Sequence, residues 1–481
     1  MTVGLRADIP FLPDAAFTNP SVLSRLGVNT GHLPSGNVLW SPRLGLNYDL
    51  TGSGTAFLRG GIGLFSGPPP YRWLGNGYRD GGQEMVVTCN NVADMPRLGK
   101  PFVADSQPAT CPSGRGATPR ISFFDRDLKL PQNLKLALGM DRHLPGEMTA
   151  SIDFLYTRAI HEITVREANL GAPSSWALGE GRPMYGTVNA ATGIARPAFL
   201  DTTFQEIFRV SNRSGDYSIS LSVQLRKRFG DGATLYASYA LSRAYDRMSI
   251  VNLPTRANFS NTPLDGTADD RRLAPSFFET PHKMALGGTL RLARGVEMSL
   301  LYQGASQPPF TYVIDGDANA DRIGGPGSLF DDIVYVPRNS SDITLRMPSG
   351  SPATPDEHAK LQNFITQHPC LDKQRGRIMQ RNSCRNGWLG ALNARLTTTL
   401  PLVRGHYFKI VADIANVANL IEPRWGQYRD VTTGPSVPLL KLVGWDSSNG
   451  RGVYALELPQ RGLVEDAPSR WRIQFGMRYG F

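Results

Sequence analysis

Residues 217–241 read YSISLSVQLRKRFGDGATLYASYAL. From position 217 to position 225, large apolar residues alternate with serine, glutamine and other small or polar residues. Because side chains of a β-strand point to its two faces in turn, this alternation predicts a strand with one apolar and one polar face. The polar turn FGDG at residues 229–232 follows, and residues 235–241 alternate again. The segment therefore predicts a long β-hairpin.

The same unit recurs along the chain. Alternating stretches joined by short turns cover residues 43–64, 134–156, 284–302 and 392–414, and single stretches cover residues 3–7 and 471–481. Together they predict about twelve strands of roughly 9–11 residues, the length that a tilted strand needs to cross a bilayer. Strands of soluble β-sandwiches are shorter, at about five or six residues. Strand length therefore favours a transmembrane barrel, with a soluble sandwich as the alternative.

The connections between the predicted strands are of two kinds. Short turns alternate with long polar segments, which cover residues 9–39, 66–130, 159–215, 246–280, 307–386 and 417–468. Long unstructured loops are uncommon in compact soluble domains. Short periplasmic turns and long extracellular loops are typical of outer-membrane barrels. The fold class predicted is all-β, a transmembrane antiparallel β-barrel.

Composition agrees with this fold class. Among the 481 residues, no run of 18 apolar residues occurs and the mean hydropathy is −0.25. Both observations exclude a helical membrane protein, but not a barrel, because a barrel strand exposes only every second residue to lipid. The net charge is +10, and the basic residues are scattered along the chain. Nucleic-acid binding would need a basic stripe or helix, so no nucleic acid is expected as a partner.

Energetics predicts which face of the strands meets lipid. A lysine or arginine at the bilayer midplane costs roughly 2–4 kcal/mol. The charged strand residues are therefore predicted in the lumen: Arg43, Arg59, Lys135, Asp153, Arg226, Arg395, Arg472 and Arg478. The aromatic residues at strand ends are predicted in two interfacial girdles: Tyr48, Phe65, Tyr156, Tyr239, Tyr245, Tyr302, Trp388, Tyr407, Trp471 and Phe481.

The sequence carries no motif of catalysis. A nucleophile elbow of the type G-x-S-x-G is missing, as is the zinc-protease motif H-E-x-x-H. The seven histidines are dispersed. We expect no enzymatic activity and no catalytic residues.

The four cysteines form two sequence-local pairs in polar stretches, Cys89 with Cys111 and Cys370 with Cys384. Two disulfides formed in an oxidising compartment are the simplest interpretation. The alternative is a zinc site, although its spacing matches no standard pattern. That site would use His358, His368, Cys370 and Cys384.

One outer segment carries oxygen-bearing side chains at every second position, namely Asp315, Asp317, Asn319 and Asp321. This arrangement is similar to the start of a Ca²⁺ loop, because alternate oxygen ligands can converge on a hard cation. The twelfth position, however, holds Pro326 instead of glutamate. A solvated acidic turn is the alternative, and a looser site completed by Asp331 and Asp332 is a third possibility. Calcium at this loop is the sole cofactor that the sequence suggests.

Several segments together resemble Oar-like TonB-dependent receptors. The first pair is WSPRLGLNYDLTG at residues 40–52 and LRGGIGLF at residues 58–65. The others are LRKRF (225–229), ASYALSRAYD (237–246), IVYVP (333–337), ANVANL (415–420) and FGMRYGF (475–481). The resemblance covers most of the strand-forming chain, whereas the long loops carry no match.

The resemblance implies a 22-stranded barrel with a plugged lumen. Residues 1–481 would then form a partial barrel domain, its C-terminal half. The plug, the segment that contacts the TonB complex and a small regulatory-like domain would lie before residue 1, since residues 1–10 lack the features of a signal peptide. The last strand is similar to the signal read by the barrel-assembly machinery. Its alternating residues are Trp471, Ile473, Phe475, Met477, Tyr479 and Phe481.

The resemblance implies energy-coupled uptake of a scarce or bulky extracellular ligand across the cell outer membrane, with membrane lipid and the TonB complex as further partners. The ligand and its binding residues stay unknown from sequence. One alternative is a self-sufficient porin-like or adhesive barrel of about twelve strands. Another is a secreted, soluble carbohydrate-binding β-protein.

Overall fold

The computed structural model describes residues 1–12, 14–86, 118–204, 206–250, 255–293, 295–322, 330–347, 350–430, 434–459, 463–464 and 466–481. Twelve long strands dominate it. They are β1 (Thr2–Asp8), β2 (Leu39–Asp49), β3 (Ala56–Ser66), β4 (Gln132–Leu144), β5 (Met148–Glu167), β6 (Tyr217–Phe229), β7 (Ala233–Asp246), β8 (His282–Ala293), β9 (Val296–Ser306), β10 (Trp388–Pro401), β11 (Tyr407–Ala415) and β12 (Arg472–Gly480).

These strands form one antiparallel sheet in chain order. Each strand from β2 to β11 pairs with the strand before it and the strand after it. Within the described residues, β1 pairs only with β2, and β12 pairs only with β11. The prediction of about twelve long hairpin-connected strands is confirmed, and in the part of the chain that the structure describes the sheet has two unpaired edges.

The strand register keeps the apolar side chains on one face across the whole sheet. Leu225 in β6 lies opposite Ala150 in β5 and Ala237 in β7, and Ala237 lies opposite Leu286 in β8. Since a slip of one residue would reverse every side chain of a strand, this match fixes the apolar face of each strand. The eight charged residues predicted in the lumen all lie on the opposite face.

Two of the ten predicted girdle aromatics lie on the charged face instead. The ring of Phe65 lies 4.5 Å from the Arg43 guanidinium carbon and 5.6 Å from the Lys135 ammonium nitrogen. Phe408 lies on the apolar face with its strand partner Tyr479. Tyr407, the residue before it, therefore lies on the charged face. The prediction was wrong for Phe65 and Tyr407 because it considered only that they lie near strand ends. It ignored whether their positions alternate with the apolar residues or with the charged residues of the strand.

The hairpin turns at one end of the sheet are short. Between β4 and β5 the chain reverses through Gly146 and Glu147, whose φ angles are 76° and 57°. Such positive φ angles are those of tight hairpin turns, and glycine adopts them without steric cost. After β2, the Asp49 carboxylate accepts hydrogen bonds from the backbone N–H groups of Thr51, Gly52 and Gly54 at 2.8–3.0 Å. The sequence thus specifies the turns locally.

The long segments at the other end of the sheet were predicted as loops, and they fold extensively. Their helices are α1 (Pro20–Leu26), α2 (Tyr71–Arg79), α3 (Thr255–Ser260), α4 (Pro355–Gln367), α5 (Pro369–Asp372), α6 (Val417–Ile421) and α7 (Asp466–Ser469), with 3₁₀ turns at Ser340–Asp342 and, in a short hairpin connection, Val403–Gly405. None of the helices in the described part of the chain is both long enough and apolar enough to cross a membrane.

Short strands accompany these helices. They are Gly81–Val86, Thr118–Phe124, Ser175–Ala177, Arg182–Met184, Gly186–Val188, Ala195–Pro197, Ile207–Arg213, Ala274–Pro275, Pro309–Asp315, Tyr335–Val336, Thr344–Leu345, Arg377–Ile378, Cys384–Arg385, Arg429–Asp430, Ser436–Asp446, Arg451–Leu456 and Leu463–Val464. Strand β5 is 20 residues long, and its outer end pairs with Ile207–Arg213, which in turn pairs with Thr118–Phe124. The barrel sheet therefore continues beyond the membrane on the long-loop side.

Candidate functional site

The largest buried core of the described chain lies in the long loops. A second sheet joins Thr344–Leu345, Arg451–Leu456, Ser436–Asp446, Pro309–Asp315 and Cys384–Arg385. Tyr312, Ile314 and Leu442 of this sheet are fully buried, and Leu361 of α4 packs into the same cluster. We call this unit the cap; it comprises residues 175–197, 307–322, 330–347, 350–386 and 436–456.

A disulfide joins Cys370 of α5 to Cys384 at the edge of the cap sheet. The prediction of this disulfide is confirmed, and the alternative zinc site is wrong, because the bonded sulfur atoms are not available as thiolate ligands. His368 instead packs its ring against the ring of Phe364, with centroids 4.0 Å apart. The predicted Cys89–Cys111 pair lies outside the described residues.

The acidic run begins at the end of the Pro309–Asp315 strand and is buried. Asp315, Asp317, Asn319 and Asp321 are at most 3% exposed. The Asp317 carboxylate accepts hydrogen bonds from the backbone N–H groups of Asp321 and Arg322, at 3.3 and 3.0 Å. The interpretation as a solvated acidic turn is therefore wrong: the turn is part of the cap interior.

Buried arginines and backbone amides partly offset the negative charge of these carboxylates. Arg322 forms ion pairs with Asp331 and, at 3.4 Å, with Asp321. Burial raises the pKa of Asp317, Asp331 and Asp332 above the usual range, since neighbouring carboxylates add to the cost of charging each one. In the described part of the chain, no three histidine, cysteine or acidic side chains are placed to hold a metal ion. The Ca²⁺ interpretation stays a prediction.

A second buried network ties the acidic turn to two distant loops. The Arg182 guanidinium donates to the Glu180 carboxylate at 3.1 Å, to Asp332 at 3.0 Å and to the Ile333 carbonyl at 2.7 Å. Glu180 also accepts a hydrogen bond from the Tyr454 hydroxyl at 2.6 Å. Three loops far apart in the sequence thus meet at Arg182, which the sequence analysis missed.

An open cleft of about 480 Å³ lies beside the outer extension of β5. Arg126, Arg166, Arg209 and His32 are among its lining residues. Arg166 lies directly opposite Arg209 in the strand pairing, an arrangement that is destabilising for two like charges. Asp125 accepts from Arg209 at 3.0 Å and offsets one of the two charges. Asp125, Glu167 and Asp269 also line the cleft, so its wall carries carboxylates as well as guanidinium groups.

The charged face of the sheet carries ion pairs between neighbouring strands. The Arg59 guanidinium in β3 bonds to Asp141 in β4 at 2.6 Å and reaches Asp153 in β5 at 2.9 Å. Arg395 in β10 bonds to Asp413 in β11 at 3.0 Å. Such a polar wall is typical of a barrel lumen and costly in contact with hydrocarbon. It supports the assignment of this face to the barrel interior.

The C-terminal strand exposes large apolar side chains on the apolar face of the sheet. The side chains of Phe475 and Met477 are 76% and 74% exposed, and that of Phe481 is 96% exposed. Trp471, Ile473 and Tyr479 share this face. The arrangement fits the predicted assembly signal, which stays a prediction.

Comparisons with known proteins identify the family. The outer membrane β-barrel domain family matches residues 10–422, and no curated protein matches the chain. Among solved structures, the outer membrane transporter YddB from Escherichia coli is similar at 11% identity and a TM-score of 0.43, over 92% of this chain and 41% of that one.

Two receptors give similar values. A mutant of the ferric enterobactin receptor PfeA from Pseudomonas aeruginosa matches at 9% identity and a TM-score of 0.40, over 92% of this chain and 40% of that one. The siderophore receptor PirA from Acinetobacter baumannii matches at 10% identity and a TM-score of 0.41, over 93% and 42%. The chain thus spans 40–42% of the length of these three proteins. Since the family match covers most of its residues, the chain belongs to the outer membrane β-barrel domain family and lies in the outer membrane.

Proposed function

We propose that the chain forms the C-terminal part of the barrel of a TonB-dependent receptor, which takes up a scarce or bulky ligand with energy from the TonB complex. The resemblance of its strand segments to Oar-like receptors supports this role. The observation that carries the proposal is the pair of unpaired edges, β1 and β12, in a sheet with a continuous apolar face and a charged face. No enzymatic step is part of the proposal.

The unpaired edges favour a larger barrel for an energetic reason. Each backbone N–H or C=O group left unsatisfied in the hydrocarbon core costs several kcal/mol. One side of β1 and one side of β12 carry such groups. Further strands that pair with both edges would satisfy them, and a barrel of about 22 strands encloses a lumen that holds a plug. The charged face would then contact the plug.

The loops supply a surface for the ligand. Short polar turns lie on the periplasmic side, so the cap and the charged cleft beside β5 face the outside. In this proposal the cleft, with Arg126 and Arg166 at its wall, contacts the ligand before transport. A buried core and a disulfide stabilise the cap, which suits a receptor whose loops must keep their shape.

Two alternatives were open from sequence. The secreted soluble protein is wrong, because the chain belongs to an outer-membrane family. A self-sufficient porin-like barrel of twelve strands would require β1 to pair with β12. That pairing is missing from the described residues. An experiment that detects pairing of β1 with β12 therefore separates the two functions.

We expect cysteines in β1 and β12 not to cross-link. The test uses the full chain in outer membranes, with Leu5→Cys combined in turn with Phe475→Cys, Met477→Cys or Tyr479→Cys, and oxidation by copper phenanthroline. Paired strands lie about 4.8 Å apart, which permits rapid oxidation. The matched control is Leu221→Cys with Leu241→Cys, since these residues lie opposite each other in β6 and β7. A β1–β12 yield equal to the control would favour the twelve-stranded porin and contradict the receptor.

A further inference from the structure

The apolar face of the sheet contains a groove of about 800 Å³ across β6 to β9. Leu225, Leu235, Leu286 and Leu300 form its walls. No side chain covers its floor at Gly288, which lies between Leu235 in β7 and Leu300 in β9 in the strand register. The groove lies on the face turned toward lipid, and its apolar lining fits a hydrocarbon chain.

One cation stands at the short-turn end of this groove. Lys227 follows Leu225 by two residues on β6 and therefore shares the lipid-facing side. Its neighbours in the register are Met148 in β5 and Leu235 in β7, both apolar. All three residues line the groove.

Lys227 lies beside an aromatic ring. Its ammonium nitrogen lies 5.0 Å from the centroid of the Phe229 ring. The adjacent carboxylate of Glu147 is paired with Arg228 instead, at 4.0 Å. Among the residues that the structure describes, none brings a carboxylate within 4.0 Å of Lys227. A lysine is tolerated on the lipid face only near the interface, so this end of the groove lies at the level of the periplasmic headgroups.

We propose that this groove and Lys227 bind a phospholipid of the periplasmic leaflet, with one acyl chain along the groove and the phosphate on the ammonium group. An ammonium group with no carboxylate beside it, at the end of a hydrocarbon-lined groove, suits a ligand with an anionic head and an apolar tail. A phospholipid has both, whereas free phosphate has only the charge. The site depends on the membrane location of the chain and not on the proposed transport role.

Native mass spectrometry of the full chain, delipidated in detergent and titrated with palmitoyl-oleoyl phosphatidylglycerol, tests the site. We expect one tightly bound lipid for the wild type and at least a tenfold weaker affinity for Lys227→Gln. The matched control is Arg226→Gln, which removes the same charge one residue away on the opposite face. We expect this control to bind as the wild type does.

Two further arms identify the ligand chemistry. Ala237→Phe fills the groove and leaves Lys227 in place, so the affinity for the long-chain lipid should fall at least fivefold. Dihexanoyl phosphatidylglycerol and inorganic phosphate should fail to displace the long-chain lipid from the wild type. Equal lipid affinity in Lys227→Gln and the wild type, an equal loss in both charge variants, or displacement by phosphate would overturn the proposal.

Discussion

Replacing Arg182 by methionine is expected to destabilise the cap by about 3–5 kcal/mol, the usual cost of removing one partner from a buried ion pair. The methionine retains the apolar stem but leaves Glu180 and Asp332 without their cation in a site where Arg182 is only 3% exposed. Asp332 keeps the backbone amides of Ala318 and Asn319, at 2.6 and 3.2 Å. These two bonds cannot neutralise its charge.

Hydrogen–deuterium exchange of the amides of Ala318 and Asn319 measures this loss directly, because both amides are bonded to Asp332. A cost of 3–5 kcal/mol corresponds to exchange that is faster by roughly two to four powers of ten. Arg338→Met is the control, since Arg338 pairs with Asp342 at the cap surface and is 65% exposed. If the two variants exchanged at the same rate, the network around Arg182 would not hold the cap together.

Placing an arginine at Leu221 is the second change with a large expected effect. Leu221 lies on the apolar face between Phe154 in β5 and Leu241 in β7. Near the bilayer midplane, Leu221→Arg should cost roughly 2–4 kcal/mol of folding free energy in lipid vesicles. The cost arises because the guanidinium group loses water and its direct strand neighbours, Phe154 and Leu241, are apolar.

Ser222→Arg is the matched control for that change. Ser222 is the next residue in β6, faces the charged side and lies opposite Asp153. An arginine there gains a counter-charge, so its folding free energy should stay within about 0.5 kcal/mol of wild type, as at ordinary tolerant positions. The measurement is guanidinium-induced unfolding in phosphatidylcholine vesicles, followed by heat-modifiable gel migration. A larger loss for Ser222→Arg would mean that the two faces had been exchanged.

The twelve strands could be predicted from sequence because their information is local. Alternation within residues 217–225 and a glycine-containing turn at residues 229–232 define a hairpin without any distant contact. Face assignment followed from charge, and the register confirms it for Arg59 and Arg226. Phe65 shows the limit of this reasoning. The odd-numbered position of Phe65 in β3, and not its aromatic character, places its ring on the charged face against Arg43.

The cap could not be predicted for the opposite reason. Its core includes short apolar runs such as residues 310–314, which lack alternation because both faces of this strand are buried. The contacts that hold it are long-range: Glu180 and Tyr454 are 274 residues apart. The acidic turn was predicted to be solvated because its partner Arg182 comes from a loop 150 residues before Asp332. Arg322, in contrast, directly follows Asp321 in the same turn and pairs with Asp331. The disulfide could be predicted from sequence because its two cysteines are only 14 residues apart.

The apolar side of these hairpins faces lipid, we infer, and the charged side faces the lumen. Spin labels placed one at a time at residues 218–225 of β6, in the reconstituted full chain, test it most directly through their collision rates with oxygen and with a nickel chelate. We predict a two-residue period, with oxygen access highest at Ile219, Leu221 and Val223 and nickel access highest at Ser220, Ser222 and Gln224. Uniform access along the strand, or the inverse phase, would contradict the claim.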